Sequence, residues 1–158
     1  MFKVLVATDG SSYALKAAEF VARICSNIPD TDLTVLHVID TSLLATTFGP
    51  ATGVGVPGTI MLPREIESVS ESILESASDL LLQQGYKVHS RLERGQPAEV
   101  ICRLAAKEGF DLIAMGHAGH GRLAGILLGS VTDKILHKSQ VPVLVVRSEE
   151  QEGEHGKR

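Results

Sequence analysis

The chain has 158 residues, of which 44% are hydrophobic and 22% are charged, and this size and balance predict one globular domain with a buried core. It carries 15 lysines and arginines against 19 aspartates and glutamates, which gives a formal net charge of −4. Proteins that bind DNA or RNA concentrate basic residues to displace counterions from the phosphate backbone. The charge balance therefore argues against a nucleic acid as partner.

The apolar segments are too short for a membrane protein, because none reaches roughly 18 residues, the length of a candidate membrane span. The chain also begins on a strand pattern without a charged leader and cleavage site. We therefore expect a soluble, cytoplasmic protein with no membrane insertion. Its cysteines, Cys25 and Cys102, lie in predicted amphipathic helices, which favours packing roles in a reducing compartment over a disulfide or a zinc site.

The first two predicted elements are a strand and a helix separated by a turn. Residues 2–8 are nearly all apolar and precede Asp9 and Gly10, as expected of a buried parallel strand that ends in a turn. Ser11 or Ser12 is then placed to cap a helix. The apolar positions of that helix recur at helical spacing: Leu15, Ala18, Val21, Ala22 and Cys25.

Strands and helices continue to alternate along the rest of the chain. Strands are predicted at residues 33–39, 87–93, 111–115 and 141–147. Helices are predicted at residues 61–84, from Pro97 to a stop at Gly109, and at residues 130–138. The connection at residues 40–62 is rich in Gly, Thr and Pro and is too long for an ordinary loop, so a lid or contact surface and a simple mobile loop are both open interpretations.

This alternation predicts an α/β fold, an open, doubly wound, five-stranded parallel sheet with helices on both faces. We expect one domain at residues 1–147, followed by a charged, disordered tail at residues 148–158. In such sheets, ligands bind beyond the carboxyl ends of the strands, where the strand order reverses. The loops after the first and fourth strands are therefore the first candidates for a site.

The loop after the fourth strand carries the pattern Gly-x2-Gly-x9-Gly-Ser, formed by Gly116, Gly119, Gly129 and Ser130. Phosphates require a close approach of backbone amides, which glycine permits. A helix is predicted to start at Ser130, so its free amides and positive dipole end would point at whatever the glycines hold. Ser130 alone also fits a helix cap, with Asp133 completing something close to a capping box.

The glycine pattern matches neither the Walker loop nor the dinucleotide fingerprint. It resembles instead the pattern of the ATP-binding branch of the universal stress protein family. The resemblance covers residues 2–147. The segments that carry it are Val-Leu-Val-Ala-Thr-Asp-Gly-Ser at residues 4–11, Leu36-His37-Val38, Gly95-Gln96-Pro97-Ala98, Leu127-Leu128-Gly129-Ser130-Val131 and Pro142-Val143-Leu144-Val145-Val146.

The resemblance implies which residues hold the ligand. Asp9 would contact the adenosine part, the backbone near Val38 the adenine, and Met115 with Gly116 the ribose. Residues that would wrap the phosphates are Gly119, Gly129, Ser130, Val131 and Thr132. The complete set that the resemblance implies is Ala7, Thr8, Asp9, Val38, Met115, Gly116, His117, Gly119, Gly129, Ser130, Val131 and Thr132. By local propensity, Asp9 also fits a turn or cap ahead of the first helix.

These features predict an ATP-binding stress-response or regulatory protein in which the nucleotide is a conformational ligand and hydrolysis is absent or slow. Mg²⁺ or Mn²⁺ would accompany the ATP, and no catalytic or metal-ligating residue is assigned. The apolar fifth strand, residues 141–147, would lie at a sheet edge that invites pairing with another chain. The resemblance likewise implies a homodimer through this strand.

Two other functions remain open at this point. His117 and His120 form a His-x-Gly-His sequence that resembles the charge-stabilising motif of nucleotidylyltransferases, so a slow ATPase or an adenylyl-transferring enzyme using Asp9 and a divalent metal is one alternative. The position of this motif after the fourth strand favours solvated loop histidines instead, and His37 is expected to be a packed or hydrogen-bonded strand residue. The other alternative is a nucleotide-independent interaction module that uses residues 40–62 and the fifth strand.

Overall fold

The computed structural model describes residues 1–42, 63–120 and 127–148. Most of the long connection, part of the glycine loop and most of the predicted tail therefore lie outside the described residues. The described elements in chain order are β1 (Phe2–Ala7), α1 (Ser12–Cys25), β2 (Thr31–Asp40), α2 (Pro63–Gln83), β3 (Val88–Gly95), α3 (Pro97–Lys107), β4 (Leu112–Gly116), α4 (Ser130–Lys138) and β5 (Val143–Val146).

The described strands form one parallel sheet with the order β3-β2-β1-β4-β5. The chain moves outward from β1 to β3 and then returns to the other side of β1 with β4. The strand order therefore reverses between β1 and β4, which is where open sheets of this kind bind ligands. The predicted α/β fold with its five-stranded parallel sheet is confirmed.

Helices cover both faces of this sheet. One apolar cluster joins α3 and Ile135 of α4 to the sheet, and the other joins α1 and α2 to the opposite face. Cys25 is buried in the second cluster, and Cys102 packs against the first. Both thiols are free, and burial raises the pKa of each, as expected of cysteines that pack in a core.

Several strand ends differ from the predicted boundaries by one or two residues. Strand β2 is longer than predicted, because its polar end residue Thr31 pairs with Phe2 of β1. Strand β4 ends at Gly116 instead of residue 115, since Gly116 pairs with Val146. Strand β5 is shorter than predicted and begins after Pro142, which has no N–H to donate.

Strand β5 lies at one edge of the sheet and β3 at the other. The described helices include none that is long and apolar enough to cross a membrane.

Candidate functional site

A cavity of about 470 Å³ opens at the carboxyl ends of β1, β2 and β4, beside the start of α4. Small-molecule sites measure roughly 300 to 1,000 Å³, so the cavity has the volume of a ligand site. Of the twelve residues predicted to bind a cofactor, the eleven that line it are Ala7, Thr8, Asp9, Val38, Met115, Gly116, Gly119, Gly129, Ser130, Val131 and Thr132. The sheet therefore brings together residues that are far apart in the sequence.

One wall of the cavity is apolar. Val38 and Met115 come from the ends of β2 and β4, and each is less than a tenth exposed. Helix α3 adds Pro97 and Ile101. Small-molecule sites commonly combine such an apolar wall with a few polar groups.

The start of α4 forms the polar side of the cavity. Gly129 is the N-cap residue, with φ −69° and ψ 155°, and it supplies no side-chain cap. Ser130 is the first helical residue, so the alternative in which Ser130 caps the helix is wrong. Within the described residues, no group accepts a hydrogen bond from the amides of Ser130, Val131 and Thr132. These donors and the helix dipole are available to an anion.

Two hydrogen bonds hold the start of α4 against the end of β4. The Thr132 hydroxyl donates to the Gly116 carbonyl over 3.1 Å, and the Gly129 amide donates to the His117 carbonyl over 2.8 Å. Because the Thr132 side chain is engaged in this way, its backbone amide is the group that it offers to the cavity. The helix start is therefore fixed in place without a side-chain cap.

The glycines of the loop are required by close contacts between parts of the chain. A Cβ at Gly116 would lie 2.7 Å from the carbonyl carbon of Tyr13, in the first turn of α1. A Cβ at Gly129 would lie 3.2 Å from the Cα of Ala118. Neither glycine has a positive φ, so their backbone conformations are open to other residues. What glycine provides here is the close approach of α1 and of the Ala118 segment.

Asp9 joins the loop after β1 to the loop after β4. Its Oδ1 accepts a hydrogen bond from the Ser11 amide, and its Oδ2 accepts one from the His120 amide, both over 3.0 Å. The first bond is the turn contact that local propensity predicts. The second links residues 111 positions apart in the sequence. Asp9 is thus both a turn residue and part of the cavity lining.

A model of the universal stress protein family matches residues 1–147 of the chain. The chain belongs to this family. The resemblance recognised in the sequence is confirmed.

Individual family members agree with this assignment. Universal stress protein MJ0531 of Methanocaldococcus jannaschii is 31% identical over 151 residues, which cover 95% of this chain and 84% of the relative. The solved structure of MJ0577, from the same archaeon, has a TM-score of 0.73 at 30% identity and covers 95% of this chain and 98% of that chain. An Arabidopsis thaliana member with AMP bound shares the fold, with a TM-score of 0.63 at 20% identity and coverage of 96% and 95%.

The histidines of this universal stress protein differ sharply in position. His117 was predicted as a solvated, cofactor-binding loop residue, but its side chain is 3% exposed and does not line the cavity. Its ring packs edge-on against Tyr13, with centroids 4.7 Å apart. The reason is Gly116, whose missing side chain lets Tyr13 reach the end of β4. His120, by contrast, is exposed and lines the cavity.

His37 lines the cavity from β2, and its Nδ1 lies 2.8 Å from the carbonyl oxygen of Thr8. A carbonyl only accepts, so Nδ1 carries a hydrogen and, in the neutral ring, Nε2 is left as an acceptor. His37 is therefore a hydrogen-bonded strand residue, as expected. Its place in the cavity lining was not foreseen.

The sequence patterns also missed Pro97 and Ile101, which were assigned only to a helix start and its apolar face. A signal was nevertheless present. Helix α3 begins directly after β3, so its first turn lies at the same edge of the sheet as the other ligand loops. Among residues 1–42, 63–120 and 127–148, no cluster of three or more His, Cys, Asp or Glu side chains is placed to hold a metal.

Proposed function

We propose that this universal stress protein binds ATP in the cavity between β1 and β4, with the nucleotide acting as a conformational ligand and with little or no hydrolysis. The observation that carries the proposal is the uncapped start of α4, which faces a cavity with an apolar opposite wall. A charged, polyanionic tail joined to a flat ring matches both sides of such a cavity. The AMP held by the Arabidopsis family member supports an adenine nucleotide as the class of ligand.

In the proposed complex, the adenine lies on the apolar wall formed by Val38, Ile101 and Met115. The phosphates lie against the amides of Ser130, Val131 and Thr132, where the helix dipole favours negative charge. Close backbone approach at Gly119 and Gly129 completes the phosphate site. Mg²⁺ or Mn²⁺ enters with the phosphates, and Asp9 and Asp133 are the carboxylates that line the described part of the cavity.

Slow hydrolysis is proposed because the side chains of Asp9 and His117, which are candidate catalytic groups, make other contacts within the protein. Both Asp9 oxygens accept backbone amides, and the His117 ring packs against Tyr13. His37 and His120 are the imidazoles that line the described part of the cavity, and the His37 ring already bonds the Thr8 carbonyl. We expect turnover below about 10⁻² per second, the rate of a nucleotide switch that carries its own catalytic arginine. Faster turnover that is abolished by His120→Ala would favour the enzymatic alternative.

The direct test of ATP binding is calorimetry on the wild type and on two variants with the same change in charge. Gly129→Glu places a carboxylate at the open helix start and is expected to abolish measurable ATP binding. The matched control is Ser72→Glu, which adds one negative charge at an exposed position of α2 outside the cavity. The control is expected to bind ATP as the wild type does. If the wild type binds no ATP at millimolar concentration, the proposal is wrong.

We further propose a homodimer that forms through residues 141–147. The supporting observation is the edge position of β5, an apolar strand whose outer backbone groups have no neighbour within the described sheet. Val146→Lys tests this pairing, because a lysine on an edge strand disfavours strand addition and Val146 is not among the residues that pack against the two apolar clusters. Light scattering is expected to give a dimer for the wild type and a monomer for the variant. A wild-type monomer at micromolar concentration would contradict the proposal.

A further inference from the structure

The contacts of the Asp9 carboxylate reach beyond the loop that carries it. Its Oδ2 accepts the His120 amide, which belongs to the loop after β4. The preceding residues of that loop, Ala118 and Gly119, pack directly beneath Gly129, with 3.2 Å from the Ala118 Cα and 3.5 Å from the Gly119 nitrogen to a Cβ built at Gly129. Asp9 is therefore linked through one short segment to the start of α4.

Gly119 shows how tightly this link is packed. A Cβ at Gly119 would overlap Oδ2 of Asp9, the same oxygen that accepts the His120 amide. A side chain at Gly119 therefore requires the carboxylate to move. Both carboxylate oxygens already accept backbone amides, from Ser11 and from His120, so such a movement would disturb these hydrogen bonds.

We propose that Asp9 is a positioning residue for the phosphate site: by accepting the His120 amide, its carboxylate holds the Ala118–His120 segment against Gly129, so that the start of α4 presents its amides to the phosphates. The proposal rests on the proposed function for its ligand and assigns Asp9 a role toward the phosphates. Gly119 is glycine, on this account, because the Asp9 carboxylate occupies the space beside it.

Charge alone predicts the opposite behaviour of Asp9. A carboxylate beside bound phosphates repels them, so removal of its charge by Asp9→Asn would tighten ATP binding if charge were the main effect. A pure contact with the sugar would weaken ATP and adenosine equally. If Asp9 positions the loop, Asp9→Asn lowers the affinity for ATP much more than the affinity for adenosine, because adenosine has no phosphates for the loop to hold.

The experiment compares ATP and adenosine binding, both without a divalent cation, in the wild type, Asp9→Asn, Gly119→Ala and the double variant, so that loss of a metal ligand cannot account for a difference. The asparagine NH2 group only donates, so it cannot replace one of the two oxygens that accept backbone amides, and Asp9→Asn is expected to lower ATP affinity about tenfold or more while adenosine affinity changes by less than about threefold. The matched control is Asp79→Asn, which removes the same charge from an exposed position of α2. It is expected to leave both affinities unchanged.

The double variant tests whether Asp9 and Gly119 act through one contact. If they do, Asp9→Asn with Gly119→Ala binds ATP as weakly as either single variant, because the second change has nothing left to break. Fully additive losses would overturn the proposal, as would an equal loss of ATP and adenosine affinity in Asp9→Asn, or a gain of ATP affinity.

A measurement on the ligand-free protein separates this inference from the proposed function. Hydrogen exchange at the His120 amide is expected to be slow in the wild type and to accelerate about tenfold or more in Asp9→Asn, as for a lost charge-assisted hydrogen bond. Unchanged exchange at His120 would overturn the inference even if ATP binds. If the wild type binds no ATP, the proposed function fails, and the exchange result still decides whether Asp9 holds the loop.

Discussion

The N-cap residues of α1 and α4 have nearly the same backbone dihedral angles, but only the first has a side chain that caps its helix. The N-cap residue of α1 is Ser11, with φ −67° and ψ 157°, and that of α4 is Gly129, with φ −69° and ψ 155°. The Ser11 hydroxyl accepts the Ala14 amide over 3.2 Å, whereas Gly129 has no side chain to do so. The two helices follow adjacent strands, so they flank one cavity. A helix start without a side-chain cap keeps its amide donors available to an anion, whereas Ser11 uses one of the α1 donors within the protein.

The largest loss of stability is expected from a substitution at Gly116, which contacts both helix starts. Its Cα faces the Tyr13 backbone of α1, and its carbonyl accepts the Thr132 hydroxyl of α4. Gly116→Val would drive a branched side chain into the backbone of α1 and is expected to lower the free energy of unfolding by about 3 kcal/mol. Urea denaturation measures the loss, and a loss below about 1 kcal/mol would show that the packing around Gly116 is loose.

A smaller loss of stability is expected when the cap of α1 is removed. Ser11→Ala removes the acceptor of the Ala14 amide and is expected to lower the free energy of unfolding by about 1 kcal/mol. ATP affinity is expected to stay the same, because Ser11 does not line the cavity. The matched variant is Gly129→Ser, which adds a cap at the open helix and is expected to weaken ATP binding. The comparison fails if Ser11→Ala weakens ATP binding more than Gly129→Ser does.

The smallest loss of stability is expected from a substitution at the carboxyl end of α4, where Lys138 pairs with Glu99 of α3. The hydrogen bond from Lys138 lowers the pKa of Glu99, and both side chains are exposed. A lowered carboxyl pKa adds stability at neutral pH that is lost as the pH falls through the folded-state value. Lys138→Met is therefore expected to lower the free energy of unfolding only slightly. The loss is expected only at low salt and at a pH above the folded-state pKa of Glu99. Equal destabilisation at acid pH or in high salt would assign the effect to packing.

The sequence predicted those parts of the fold whose signals are local. Helix α4 was predicted at its observed bounds, because the loop glycines and the apolar spacing mark its ends. The start of β2 at Thr31 was not predicted, since that residue joins the strand only by pairing with Phe2 of β1. The predicted cavity residues followed from the resemblance to the family, and their location followed from the rule that ligands bind at the point of reversed strand order.

What the sequence did not reveal depends on contacts between distant residues. The bond from His120 to Asp9 and the packing of His117 on Tyr13 each join different loops or elements. Glycines were predicted for their approach to phosphates, whereas the structure shows that Gly116 and Gly119 are also required by Tyr13 and Asp9. A pattern in one segment cannot show which other segment lies against it.

Amide resonances of α4 report directly on whether its uncapped start holds the phosphates of ATP. ATP and adenosine would be titrated separately into isotope-labelled protein while the backbone amides of Ser130, Val131 and Thr132 are followed. ATP is expected to shift these resonances strongly and adenosine weakly, while the amide of Ala14, bonded to Ser11, shifts little with either ligand. Equal shifts with adenosine and ATP, or no shifts at α4 under saturating ATP, would contradict phosphate binding at this helix start.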